Sequence, residues 1–360
     1  MKLNAFDRNS SVISKMKKSN NVYIYGAGEL GRDVGLYFCK IGITIAGYVV
    51  DDLYYTTDDT ITLKDNELEY RVVRLSECLE YLEKDGFLIW GIASPSKLRK
   101  ALSEEIIPEA WITYDVYSMW KDKYFAHKHE EDFRESRELF DDEFSKKTFD
   151  AYIKIYDGDV LEDIEIITDE IYFNELTTEN RKQGCFVDGG GYIGDTAIQY
   201  SRIFGKQQKI YVFEPDQANY IQLIENTKEL NIVPVNAGCW SESTTLCFDE
   251  RSDSASSILE NGGTEINVTS IDEIVGEDKV SLIKLDVEGS ELEALIGASN
   301  IIKRDMPLLA ISAYHKQEDL ITLPQYIIQF ETEQERYQLY LRHHGCTVPE
   351  LVLYGIPVRK

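Results

Sequence analysis

Short apolar runs alternate with amphipathic stretches along most of the chain, and they do so in two separate series. In the first, Val22-Tyr23-Ile24-Tyr25 reads as a buried strand, followed by a glycine loop and a helix through Leu36. Further strands are predicted at residues 43–50 and 87–93. Ser94-Pro95-Ser96, after the latter, makes a good helix start. Such alternation predicts a small parallel sheet. The second series is longer, with strands predicted at 185–187, Ile210–Phe213, Ile232–Val235, Val280–Leu285 and Leu308–Ser312. Two more runs, 337–342 and 351–354, are spaced as a hairpin, and the stretch 241–269 is polar and rich in Ser and Thr. Five βα units ending in a hairpin predict an α/β protein with an open doubly wound sheet and an antiparallel edge, preceded by a smaller Rossmann-like α/β domain. Ligands of such sheets bind outside the carboxyl ends of the strands, so the residues just after each strand are the candidates for function.

Between the two series, residues 113–180 hold 20 acidic and 8 basic side chains, in a pattern that is mostly helical. This divides the chain into a first domain at 1–112, an acidic helical connector at 113–180 and a second domain at 181–360. The whole chain of 360 residues is 43% hydrophobic and 28% charged, an ordinary soluble composition. Its 64 acidic and 38 basic residues leave a net charge of −26. That field repels phosphate backbones and anionic lipid, which argues against nucleic-acid partners and membrane surfaces. The first thirty residues contain no apolar run suited to a signal peptide, and no stretch approaches the ~20 apolar residues of a membrane span. The cysteines at 39, 78, 185, 239, 247 and 346 form no Cys-x-x-Cys pair. A cytoplasmic protein with reduced thiols and no zinc framework is expected.

Gly26-Ala27-Gly28-Glu29-Leu30-Gly31 fits G-x-G-x-x-G between a strand and a helix, with Asp51 and Asp52 about 20 residues further on. One reading is a nucleotide or nucleotide-sugar site, with phosphates on the helix N-terminus and Asp51 on ribose. The other is a turn that needs glycines to close and holds no ligand. Tyr124 and Lys128 have the Tyr-x-x-x-Lys spacing of some reductases but fall in the acidic connector, where the spacing is taken as chance. Nothing else in this half suggests a hydride-transfer catalyst.

The second glycine loop reads Phe186-Val187-Asp188-Gly189-Gly190-Gly191-Tyr192-Ile193-Gly194. Here the acid precedes the glycines, which suits a cofactor with a cationic amino-acid end. Glu214, in Phe213-Glu214-Pro215-Asp216, follows the next strand, where a carboxylate can accept both ribose hydroxyls. Asn236 and Ala237 follow the third strand, in position to contact adenine. Together they describe an S-adenosylmethionine site in a class I methyltransferase fold. From about residue 185 to 355 the chain resembles the FkbM family of S-adenosylmethionine-dependent methyltransferases. The resemblance is carried by residues 187–194, by Phe213-Glu214-Pro215-Asp216 and, most specifically, by Ile283-Lys284-Leu285-Asp286-Val287-Glu288-Gly289-Ser290-Glu291. It implies methyl transfer to a hydroxyl, often on a sugar or polyketide-type acceptor. Gly191-Tyr192 stands where Ala-Asn is common in the family. The segments 313–319 and 341–344 resemble a subgroup of it. The leading domain resembles, on one loop, the nucleotide-sugar-binding domain found ahead of some glycan-modifying enzymes.

A methyl sulfonium carries its own activation, so the protein must align an oxygen with the methyl carbon and take the oxygen's proton. Asp286 and Glu288 follow the fourth strand and His315 follows the fifth. Asp286 or His315 is the expected base, with Glu288 orienting the acceptor and Lys284 paired to a carboxylate on its strand face. Alternatively, Glu288 caps the following helix and Glu291 only supports that helix end. An unperturbed His315 would titrate near pH 6.5. Asp286, Glu288 and His315 also have the chemistry to ligate a divalent metal, although their spacing does not require one and none is expected. Arg342, His343 and His344 end a strand near the same rim, either to meet an anionic acceptor or as hairpin surface. Two other classes compete with the O-methyltransferase reading. One is a nicotinamide-dependent oxidoreductase built on the first glycine loop, and the other is a non-catalytic binding protein with cofactor folds.

Overall fold

A computed structural model describes residues 2–6, 11–57, 59–63, 68–82, 86–103, 109–113, 125–156, 168, 170–248, 264–345 and 350–360. Tyr124 and Cys346 lie outside the described residues, as does the middle of the polar stretch, 249–263. The chain forms two compact units. One comprises Met1–Lys123, Ala151–Asp169 and His344–Pro349; the other comprises Tyr124–Asp150, Glu170–His343 and Glu350–Lys360. No helix among the described residues is long and apolar enough to cross a membrane.

The first unit is built on a seven-stranded sheet. Its strands are β1 (Lys2–Phe6), β2 (Val22–Tyr25), β3 (Gly47–Val50), β4 (Thr60–Thr62), β5 (Glu69–Arg74), β6 (Phe87–Trp90) and β7 (Glu109–Thr113), in the order β1-β7-β6-β2-β3-β5-β4. All pairings are parallel except that of β4 with β5. All four residues of β2 are buried, as expected for a central strand covered on both faces. Helix Glu29–Lys40 lays Leu30, Val34, Tyr37 and Phe38 against the sheet, the spacing of one helical face. The strand predicted from residue 43 begins only at Gly47. Ile43 and Ile45 enter the core from the loop before it. The short strands β1, β4, β5 and β7 went unpredicted.

The second unit carries β8 (Cys185–Gly189), β9 (Ile210–Phe213), β10 (Ile232–Val235), β11 (Gly238–Cys239), β12 (Thr244–Phe248), β13 (Thr264–Thr269), β14 (Val280–Leu285), β15 (Leu308–Ser312), β16 (Glu335–His343) and β17 (Leu351–Arg359). Its main sheet runs β10-β9-β8-β14-β15-β17-β16, parallel up to β15 and antiparallel beyond. The doubly wound α/β reading therefore holds, with the hairpin adding two strands, β17 inside and β16 at the edge. Burial alternates along β16 as an edge strand with one wet face requires, while the first six residues of β17 are all buried. A separate three-stranded sheet, β11-β13-β12, joins two strands of the polar stretch to β11 just before it.

Described residues of the acidic helical stretch are packed, as helices with one solvated face would be. Helix Glu130–Arg137 and its neighbours belong to the second unit: Ser136 Oγ donates to the Leu320 carbonyl, and Phe140 bridges to Leu339. Phe173 sits within 6 Å of both the Phe186 and Tyr200 ring centroids, at 5.8 and 5.7 Å. At described positions of this stretch, acidic side chains such as Glu131, Glu135 and Glu143 face solvent while Phe133, Phe140 and Phe149 are buried.

Candidate active site

In the parallel part of the second sheet, β8 lies between β9 and β14, and β14 lies beside β15. The turns after these four strands therefore emerge side by side, although their residues lie up to more than a hundred positions apart in the chain. Asp188 pairs in register with Lys284, and Gly189 with Leu285.

The glycine loop is shaped by the protein's own packing. Gly190 has φ +78°, and a Cβ there would lie 1.9 Å from the Asp286 carbonyl oxygen. Side chains would likewise meet Leu285 at Gly189, Val212 at Gly191 and Thr227 at Gly194, each within 3 Å. Gly194 starts helix Asp195–Phe204 in a left-handed conformation. Tyr192, between them, is also left-handed and is exposed.

Asp188, expected to face a cationic cofactor end, is instead fully buried with Lys284 Nζ 3.1 Å away. Burial pushes its carboxyl up to about 6, against the pull of Lys284. Lys284 also donates to the carbonyls of Gly189 and Gly190, at 3.2 and 2.7 Å. This ion pair holds the loop from below, so Lys284 is a positioning residue and not a candidate to touch substrate.

Glu214 is buried at the end of β9, and its two oxygens accept the backbone N–H of Tyr192 and of Asp216, at 2.8 and 2.9 Å. A carboxylate has about four lone-pair sites, so each oxygen keeps acceptor capacity. Burial raises its pKa despite these two donors. Asn236 uses its amide on the Glu214 and Pro215 carbonyls, closing the turn, and Ala237 is buried beside it.

The carboxylates after β14 meet His315 after β15. His315 Nδ1 lies 2.8 Å from Glu291 Oε1, which also accepts the Val287 N–H. On the other side of the ring, Nε2 is 3.6 Å from both Asp286 Oδ1 and Glu288 Oε2. Burial lowers the imidazole's pKa, but Glu291, Asp286 and Glu288 more than offset it, and the pKa rises to about 9. The expectation of titration near 6.5 is thereby corrected. Glu291, which the sequence left as a possible support for its helix, is the partner responsible.

Asp286 accepts the hydroxyls of Tyr172 and Tyr314, at 2.8 and 3.1 Å. Burial works to raise its pKa, but Lys284, His315 and Tyr172 outweigh it and hold the carboxyl below the usual range. Glu288 has φ +55° and a largely exposed side chain, which puts its carboxylate at the rim. Glu350, pushed up to about 7 by burial and by Asp286, joins the cluster from the start of β17. Nothing in the local sequence around Tyr172 or Glu350 points to Asp286. Tyr314, next to His315, was the only one of the three with a neighbour already singled out.

Among the described residues, those with metal-ligating atoms grouped within 4.8 Å of one another are Asp286, Glu291 and His315, so Glu291 stands in place of Glu288 in the set read from sequence. Arg342 is engaged with Asp142 and Ser145 at 2.6 and 2.8 Å, and His343 is fully buried. His344 falls in the first unit, 2.9 Å from Thr168 Oγ1.

In the first unit, Gly26, Gly28 and Asp51 line a cavity at the ends of β2, β3 and β6. Gly31 packs its Cα against the Gly26 carbonyl, where a Cβ would lie 2.0 Å away. Asp52 is used locally, accepting from the N–H and hydroxyl of Ser76.

Residues 188–345 match the family model of the methyltransferase FkbM domain. Over 136 residues the chain is 28% identical to a curated protein, hexuronic acid methyltransferase AglP of Haloferax volcanii. That match takes in 36% of this chain and 55% of the relative, so the chain spans little more than half of that protein's length. Among solved structures, methyltransferase FkbM from Methylobacillus flagellatus superimposes with a TM-score of 0.60 at 20% identity, covering 96% of this chain and 92% of that one. At that identity the likeness is one of fold.

Proposed function

From the match of residues 188–345 to the family model of the methyltransferase FkbM domain, we propose that the chain is an S-adenosylmethionine-dependent O-methyltransferase acting on a hydroxyl of a sugar or glycan precursor. The observation that carries this reading is His315: Glu291 holds one ring nitrogen at 2.8 Å, while the other faces the carboxylates at the rim. The donor site fits such a cofactor, because Glu214 is a buried strand-end carboxylate, fixed by two backbone donors, with lone pairs to spare. When bound, the cofactor supplies a methyl carbon already activated on a sulfonium.

The protein's part is to bind, orient and take a proton. Glu214 binds the ribose hydroxyls and the turn at Asn236 and Ala237 borders the base. Asp188 and Lys284 fix the carbonyls of the glycine loop. His315 Nε2 accepts the acceptor's hydroxyl proton, and Glu291 keeps the ring in the tautomer and orientation that leave Nε2 free. Asp286, kept anionic chiefly by Lys284 and held by the hydroxyls of Tyr172 and Tyr314, stabilises the imidazolium that forms. Glu288 orients the acceptor from the rim. The relative named as a hexuronic acid methyltransferase supports a sugar as acceptor.

The test is incubation of the protein with S-adenosylmethionine and panels of sugars, nucleotide sugars and glycan precursors, with and without magnesium, read by mass spectrometry. A gain of about 14 Da on a sugar, lost in His315→Ala with cofactor affinity unchanged, is the expected result; loss of roughly 10²-fold or more in kcat is the usual weight of a general base. A His315→Ala enzyme with normal kcat would remove the histidine from the chemistry. Methyl gain on nitrogen or carbon would refute the hydroxyl target.

A further inference from the structure

The first unit has a cavity of about 300 Å³ at the carboxyl ends of β2, β3 and β6, where the chain order reverses about β2. Such a reversal point is where open parallel sheets take their ligands. The three glycines of its loop have separable reasons for being glycine. Gly26 has φ +121°, and a Cβ there would lie 2.4 Å from the Gly91 carbonyl. Gly31 is required by the close approach of the helix to the loop. Gly28 is required by neither. Its φ of −78° suits any residue, and a Cβ there would meet nothing within 4 Å. Closing the turn therefore does not explain Gly28. An absent side chain over a cavity is explained by a ligand that must come close to the backbone.

The groups around this opening have complementary chemistry. Gly28 is the N-cap of the 12-residue helix Glu29–Lys40, and no side chain caps it, so the first amides and the positive end of the dipole are open to an anion. Lys97 is the basic residue of the lining and offsets Glu29 on the helix's first turn. Asp51 ends β3 on the cavity wall, and the Tyr25 hydroxyl fixes it by donating to Oδ1. Tyr54 is 65% exposed at the same mouth, its ring 5.5 Å from Lys97 Nζ.

We propose that the first unit is a second ligand site that binds a nucleoside 5′-diphosphate group. The diphosphate lies on the amides after Gly28 and on Lys97, the ribose hydroxyls lie on Asp51, and the base lies over Tyr54. This goes beyond methyl transfer and does not rest on it. Nucleotide sugars and nicotinamide dinucleotides share this chemistry.

The full chain is titrated by calorimetry with UDP, ADP, a UDP-sugar and NAD⁺, in wild type, Gly28→Val, Asp51→Asn and Glu214→Ala. Binding of one or more of these is expected, weakened at least tenfold by Gly28→Val and by Asp51→Asn and unchanged by Glu214→Ala. Preference for the UDP-sugar or for NAD⁺ then identifies the source. A Cβ at position 28 meets nothing within 4 Å, so Gly28→Val should remain folded, which a cooperative melting transition checks. Lys97→Ala provides a second test at an exposed position. No binding of any of the four up to about 1 mM overturns the proposal. So does binding that Glu214→Ala abolishes and Gly28→Val leaves intact, since that ligand would occupy the other unit.

Discussion

Replacing Glu291 by Gln tests the electrostatics at the heart of the candidate site. Gln keeps the shape and an oxygen to accept the Val287 N–H, but removes the negative charge 2.8 Å from His315 Nδ1. In the folded protein His315 titrates at about 9, against an ordinary value near 6.5. A rise of that size corresponds to about 3 kcal/mol favouring the imidazolium, shared among Glu291, Asp286 and Glu288. Glu291 is the nearest and most buried of the three, so its neutralisation should lower the midpoint by about one unit or more. The direct assay is NMR titration of the His315 ring proton, assigned by its disappearance in His315→Ala. Stability provides a second readout. Because the folded pKa is raised, the stabilising contribution is fully present below pH 6.5 and is lost as pH rises through about 9. Wild type should therefore lose more stability between pH 6.5 and 9 than Glu291→Gln does. A wild-type midpoint near 6.5, or the same midpoint in both proteins, would refute this account of the site.

Three further outcomes follow from the geometry. Log kcat of the wild-type enzyme should climb with pH and level off only near 9, because His315 accepts a proton only when neutral; a plateau already reached at pH 7 would exclude it as the base. Lys284→Met leaves Asp188 buried without its partner and should cost about 3–5 kcal/mol in urea denaturation, with much of the loss recovered by adding Asp188→Asn; no recovery would mean that the pair is not the cause. Glu214→Ala should weaken S-adenosylmethionine binding by about 1.5–3 kcal/mol in calorimetry, and unchanged affinity in a folded variant would take Glu214 out of the site.

The central strands were legible in the chain because burial on two faces demands continuous apolar runs, and β2, β8, β14 and β15 are such runs, whereas the short strands β1, β4, β5 and β7 and the small β11-β13-β12 sheet were not. The strand-end positions of Asp188, Glu214, Asp286 and His315 were legible for the same reason, since each directly or closely follows a run whose end is clear. What each group does there was not legible. Asp188 is a counter-ion for Lys284 because β8 and β14 are neighbours in register, a fact of the sheet and not of either strand. His315 is pulled toward basicity by Glu291, and Asp286 toward acidity by its neighbour Lys284 but also by His315 and Tyr172, which come from elements that the chain does not bring together locally. The same limit applied to the glycines. Gly26, Gly28 and Gly31 are equivalent letters in a motif, and only the packed structure separates the two that the turn needs from the one that faces open space. Periodicity follows from a segment's own exposure to water, so the sequence carries it. A charge's partner depends on distances across the fold, and those arise only when the sheet closes.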